Sequence, residues 1–203
     1  MTITDLIQQK KKGRLNVYID GEYVCSLEEI TVLEYRIKVG MEITHERLLE
    51  IKTESEKETA FDKALKYVTR YARSEKQMRD YLLRKEYVDS VIDAVIEKLK
   101  YYDYVNDLRF SADYVSYYKE SRGVNRIKQD LKISGIGDEI IDQVIQEIDD
   151  QYDSCKRHGE KFLKSHSADK IKLYRHLVSK GYDYELVKRV ANELIDGAFS
   201  DDD

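Results

Sequence analysis

The sequence contains no proline and no tryptophan, and only 9 glycines and 2 cysteines among its 203 residues. Without proline, nothing in the chain fixes φ or removes a backbone donor, so helices can run through almost all of it. Cys25 and Cys155 lie in separate regions and suggest no disulfide framework. No stretch approaches the roughly 20 apolar residues that a membrane span requires. No apolar run follows the lysines of MTITDLIQQKKKG, so that segment does not read as a signal peptide, and a soluble, cytoplasmic protein is expected. An overall basic excess is missing too: the formal net charge is -5, so the whole chain does not advertise nucleic-acid binding.

Charge of both signs is abundant, at 37 % of residues, and mean hydropathy is -0.65. High charge with few apolar residues is the signature of disorder. The apolar residues here recur at strict helical spacing, which excludes that reading and favours small units with long solvated faces.

The first fifty residues carry a different signal. In LNVYIDGEYVCSL (15–27), Asp20-Gly21 predicts a two-residue hairpin turn, because a type I′ turn needs positive φ at both central positions. Pairing Ile19 with Glu22 and Val17 with Val24 puts Leu15, Val17, Ile19 and Val24 on one face, and Asn16, Tyr18, Tyr23 and Cys25 on the other. A helix with Ile30, Leu33 and Ile37 at helical spacing is the expected cover, ended by Gly40. Met41–Ile43 reads as a short edge strand, and Thr44 as the N-cap of the helix that begins HERLLEIK.

From about residue 59 the chain repeats itself. Counted from Ser74, Gly123 and Asp169, apolar residues align at Met78/Ile127/Leu173, Leu82/Leu131/Leu177 and Tyr87/Ile136/Tyr182. After a short turn the alignment continues through Ile92/Ile141/Val187, Val95/Val144/Val190 and Leu99/Ile148/Leu194. Spacing of four and eight makes one stripe on a short helix, and the 3–4 spacing after the turn makes another. Gly135 and Gly181 fit the left-handed position that stops a helix, where the first copy has Glu86. An upstream helix precedes each copy, with Phe61, Leu65 and Val68, then Phe110, Tyr114 and Tyr117, then Phe162 and Leu163. The predicted fold is mainly α: three tandem three-helix repeats in an elongated, curved array behind a small β-hairpin and helix domain. The expected divisions are 1–53, 54–106, 107–150 and 151–203. Units this small need their neighbours for stability.

The second helix of each repeat is basic. The first carries Arg73, Lys76, Arg79, Arg84 and Lys85; the second Arg122, Arg126, Lys128 and Lys132; the third Lys172 and Arg175, with Lys170 and Lys180. Third helices run acidic, most clearly Asp138, Glu139 and Asp142. One reading is charge balance on solvated faces. The other is a discontinuous basic stripe facing phosphates or an acidic protein surface, with some of the 17 tyrosines available for stacking on single strands. Tyr67, Tyr87 and Tyr182 fall at core spacing and read as packing.

No P-loop, GxGxxG, GxSxG or HExxH is present, so no enzyme is expected. His45, His158, His166 and His176 share no spacing, and Cys155 with His158 offers two ligands where a structural zinc wants four, so no metal or other cofactor is expected. A helix-turn-helix DNA reader would present one strongly basic element rather than three weak ones. A helical scaffold for another protein is a further alternative.

RSEKQMRDYLLRKEY (73–87) resembles the first-repeat signature of the RecX family, regulators of the RecA recombinase. YVNDLRFSADYV (104–115) is similar to that family's junction motif: Asp107, Phe110 and Ala112 hold, with the alanine displaced by one, while Tyr104 and Asn106 depart from the commonest forms. VYIDGEYVCSL followed by YRIKVGMEI is similar to the hairpin segment of longer members. The resemblance implies a modulator that lodges in the groove of the RecA–single-stranded-DNA filament and restrains ATPase and strand exchange. It also implies contact with single-stranded DNA in some members. A monomer, with no membrane partner, is expected.

Overall fold

The computed structural model describes residues 1–10, 13–166 and 168–196; the acidic tail Asp201–Asp203 lies outside them. The chain divides into two compact units, residues 1–72 with 78–105, and residues 73–77 with 106 onward.

The first unit opens with an antiparallel sheet of order β1-β2-β3, formed by β1 (Ile3–Gln8), β2 (Arg14–Ile19) and β3 (Glu22–Glu28). The Asp20-Gly21 turn forms as its residue types require, with φ of 50° and 86°. Beyond it the expected register fails. Ile19 faces Glu22 and Tyr18 faces Tyr23, but a bulge then pairs Val17 with Cys25 and Leu15 with Leu27. One extra residue on β3 exchanges the faces, so Cys25 is buried and Val24 is exposed. The buried face is therefore Ile3, Val17, Ile19, Cys25 and Leu27. β1 was absent from the sequence reading; its TITDLIQ pattern becomes a strand by pairing with β2.

The covering helix also differs. α1 (Glu29–Glu34) buries Thr31 and Val32, while Ile30 and Leu33 are exposed. It ends at Glu34 because Arg36 turns left-handed (φ 51°), well before Gly40. Gly40 instead turns the chain so that its N–H reaches the Ile3 carbonyl at 2.8 Å. The expected edge strand at Met41–Ile43 is a single bridge, Thr2 to Glu42. Thr44 does cap α2 (His45–Val68), accepting the Arg47 N–H at 3.2 Å. α2 is one unbroken helix, so the platform and the first three-helix unit share it. Its buried Ser55 accepts from Glu28 N–H (3.1 Å) and Thr31 Oγ1 (3.2 Å), tying α2 to β3 and α1.

Each repeat then places two further helices against an upstream one. The first uses α2, α3 (Glu75–Leu83) and α4 (Asp89–Tyr101). The second uses α5 (Asp107–Tyr118), α6 (Val124–Ile133) and α7 (Asp138–Ile145), and the third α8 (Tyr152–Leu163), α9 (Lys170–Ser179) and α10 (Tyr184–Asp196). The aligned columns are the cores. Met78, Leu82, Ile127, Leu131, Leu173 and Leu177 are all fully buried. Truncating any of these to alanine costs about 2–5 kcal/mol. Val68 is buried as expected, but the upstream helices otherwise bury smaller residues than expected: Ala60 and Ala64 on α2, Ser111 and Val115 on α5, Cys155 and Gly159 on α8. Tyr117, expected in the core, is 77 % exposed. Burial pushes the Cys155 thiol up to about 11, so it behaves as a small apolar side chain.

Candidate partner-binding surface

Within the second unit, the starts of the second helices of the first two repeats lie against the turn of the next repeat. Ser74 Oγ donates to the Ser134 carbonyl at 2.6 Å and accepts the Gln77 N–H at 3.2 Å. One repeat later, Gly123 N–H meets the Lys180 carbonyl and Asn125 N–H the Gly181 carbonyl, both at 2.9 Å. Helix starts leave backbone donors unpaired, and the neighbouring turn carbonyls accept two of those at the start of α6. At the start of α9 the same need is met locally, by Asp169, whose carboxylate accepts from Ile171 and Lys172 N–H at 3.0 and 3.1 Å.

These joints explain the glycines. Gly135 and Gly181 take φ of 84° and 89°, but positive φ alone does not demand glycine, since Glu86 adopts 63° in the first repeat. A Cβ on Gly181 would overlap the backbone N of Arg126, and one on Gly135 would lie 2.5 Å from Lys76 Cβ. Glu86 stands exposed. The junction motif has a structural role as well. Asn106 caps α5 through the Arg109 N–H (3.0 Å), and Asp107 accepts the Glu75 N–H (2.8 Å) at the start of α3.

The structure sorts the candidate bases into two kinds. Just before α6, Arg122 reaches Asp130 at 2.6 Å and lies 3.8 Å over the Tyr118 ring, and on α6 Arg126 meets Asp130 at 3.2 Å. Tyr114 donates to the same Asp130 at 3.1 Å; burial first, then that carboxylate, pushes its hydroxyl up to about 12. Lys128 and Lys132 pair with Asp142 (3.8 Å) and Asp138 (2.8 Å) on α7. On α3, Arg79 pairs with Asp93 of α4 at 2.6 Å, and on α9 Lys172 pairs with Asp169 at 3.4 Å. Arg73 is half-buried, and Lys76 lies against Gly135. Among the described residues, Arg84, Lys85 and Arg175 are exposed and have no carboxylate partner; Lys85 lies 5.8 Å over the Tyr81 ring.

Two clusters escaped the sequence reading. Tyr101, Tyr102 and Tyr104 stand exposed where α4 ends, and the run YYDY was the available signal. His158, His166 and His176 gather around Phe162; the four-residue steps from His158 to Phe162 to His166 were a signal for the first two, but nothing in the spacing brings in His176. Among the described residues no three His, Cys, Asp or Glu side chains are placed to hold a metal ion, and no helix is long and apolar enough to cross a membrane.

The fold and its joints define a tandem three-helix repeat protein with a sheet platform at its N-terminal end. Known proteins share this plan. Residues 1–44 match the family model of the regulatory protein RecX N-terminal domain, residues 60–99 that of the RecX first three-helix domain, and residues 149–191 that of the third. Regulatory protein RecX of Listeria monocytogenes serotype 4a (strain HCC23) is 34 % identical over 203 residues, covering 95 % of this chain and 76 % of that one. Regulatory protein RecX of Clostridium tetani (strain Massachusetts / E88) is 33 % identical over 198 residues, covering 93 % and 92 %. A crystal structure of regulatory protein RecX superimposes with a TM-score of 0.72 at 23 % identity, covering 95 % of this chain and 99 % of the other. That of RecX from Lactobacillus salivarius gives 0.62 at 25 % identity, covering 68 % and 96 %. The chain belongs to the RecX family.

Proposed function

We propose that this chain is an inhibitory modulator of the RecA recombinase, acting in the cytoplasm as a monomer. It binds the RecA–single-stranded-DNA filament and restrains ATP hydrolysis and strand exchange, without catalysis of its own. The observation that carries the reading is family membership across nearly the whole chain, joined to the signature at 73–87 and the junction at 104–115. The surface is compatible in its chemistry: among the described residues, bases without an acidic partner follow α3 (Arg84 and Lys85, the latter over the Tyr81 ring) and lie on α9 (Arg175). Exposed cations facing phosphates release counterions and steer association, so such a contact weakens as salt rises.

The deciding experiment is RecA ATPase activity on single-stranded DNA, titrated with the intact chain well past filament stoichiometry. Hydrolysis and strand exchange are expected to fall together. Rates that stay unchanged through the titration overturn the reading.

A further inference from the structure

The third repeat contains a cationic pocket with no assigned role. It is a cavity of about 230 Å³ lined by His158, Lys161, Phe162, Ser165, His166, His176 and Lys180. At about 30 Å³ of liquid volume per water, it holds several waters or a tetrahedral oxyanion. Among the described residues its lining has no carboxylate. The other large hollows differ in this: one of about 610 Å³ in the first unit mixes Arg14, Lys63 and Lys98 with Glu28, Glu58 and Asp62. A second, of about 240 Å³, is rimmed by Glu120, Asp149, Asp150 and Asp153.

The pocket's parts are held in place from two helices. Phe162 of α8 is sandwiched, with His166 stacked on it at 4.2 Å and His176 of α9 at 4.6 Å. His158 Nδ1 lies 2.8 Å from the Tyr182 hydroxyl, which is itself buried, and 2.9 Å from the Ser154 carbonyl. Among the described residues, neither Lys161 nor Lys180 has an acidic partner. The groups that bear on His176 are all basic, namely Lys180, His158 and His166; with burial as the first cause, they hold its imidazole below the usual range. Both faces of Phe162 are already covered, so the ring cannot stack on a base.

From these features we infer that this pocket is a phosphate-binding site, taking the oxyanion between Lys161, Lys180 and the imidazoles and reading no base. Two ammonium donors and up to three imidazolium N–H groups supply charge-assisted hydrogen bonds to the phosphate oxygens. A bound phosphate replaces the missing negative charge, so it raises the His176 pKa, and binding draws in protons as pH falls toward about 6. The inference does not depend on RecA, and its test uses the chain alone.

The test follows the imidazole resonances of the four histidines by NMR at about pH 6 while inorganic phosphate is added at constant ionic strength, with chloride as the balancing anion. The resonances of His158, His166 and His176 are expected to shift saturably, and His176 to titrate at higher pH once phosphate is bound. His45, on α2 in the first unit, is the internal control and stays still. In the double variant Lys161→Gln/Lys180→Gln, both substitutions fall on side chains outside the core, and affinity for phosphate is expected to drop about tenfold or more. Three imidazoles that respond no more than His45, or an affinity that survives the double variant with helicity intact, overturn the inference. Twelve-residue oligothymidylate with and without a 5′-phosphate then identifies the source once phosphate itself binds. Equal shifts with both assign the site to internal phosphodiesters, and shifts with the phosphorylated strand alone assign it to a terminal monoester. Shifts with neither assign it to free phosphate.

Discussion

The middle repeat and the outer two are built from the same columns but are exposed to different demands. The middle one is engaged at both of its joints: its turn at Gly135 lies against Lys76, and the start of α6 at Gly123 meets the turn at Gly181. Its bases are paired within the repeat, to Asp130 on α6 itself and to Asp138 and Asp142 on α7. In the outer repeats the corresponding positions differ. The first repeat's turn carries an exposed Glu86, the third repeat's helix start is capped by its own Asp169, and Arg84, Lys85 and Arg175 lack acidic partners among the described residues. A column in a repeat sequence therefore records two things, the turn geometry common to all copies and the neighbour that only some copies have. Glycine marks the second.

The largest effect is expected from a methyl group added at the inner joint. Gly181→Ala combines a left-handed φ with a clash against Arg126 backbone, which cannot move as a side chain can. We expect a loss of about 3 kcal/mol, the sum of left-handed strain and overpacking. Gly135→Ala meets no backbone atom but does meet Lys76 Cβ at 2.5 Å, which is fixed by its own backbone, besides the movable Cγ and Cδ, and should lose somewhat less; urea denaturation ranks the two. Equal losses would show that φ alone required glycine.

A smaller effect is expected from Ser74→Ala. It removes the bond to the Ser134 carbonyl and leaves that acceptor short, costing about 1 kcal/mol in the same assay. The smallest belongs to Glu86→Gly. There, relief of a left-handed backbone is offset by the greater freedom of glycine in the unfolded chain, so stability should move by less than about 1 kcal/mol. A large change at Glu86 would mean that its side chain has a role that its exposure conceals.

The repeats were legible because their signal is periodic. Met78, Ile127 and Leu173 sit in equivalent cores, and a four-residue spacing reveals them without any knowledge of the neighbours. The left-handed turns were legible for the same local reason. The platform was harder. The bulge that buries Cys25 in place of Val24 leaves no mark in a hairpin whose turn is otherwise ideal, and α1 is too short for its spacing to name the buried face. The small residues that face the core on upstream helices were missed because Ala60, Ala64 and Gly159 look unremarkable beside Phe61, Leu65 and Phe162. Close helix approach selects them, and approach is a tertiary property. The candidate bases could be found by composition, but which of them have partners depends on where Asp93, Asp130, Asp138 and Asp142 lie after folding. In the cluster of His158, His166 and His176, the first two share a four-residue spacing with Phe162, but His176 joins only when α9 packs on α8, which no spacing announces.

The proposed engagement of the RecA–single-stranded-DNA filament rests on bases that lack an acidic partner among the described residues. Co-sedimentation with assembled filaments tests it most directly, comparing Arg84→Glu/Lys85→Glu/Arg175→Glu with Lys128→Glu/Lys132→Glu, each checked for unchanged helicity. Paired charges present little net field beyond their own carboxylates, whereas the unpartnered ones act at full strength. The triple variant is expected to lose about tenfold or more in affinity, a difference of about 1.4 kcal/mol, while the double variant changes by less. Filament affinity that survives the triple variant, or falls as far in the double variant, would contradict it.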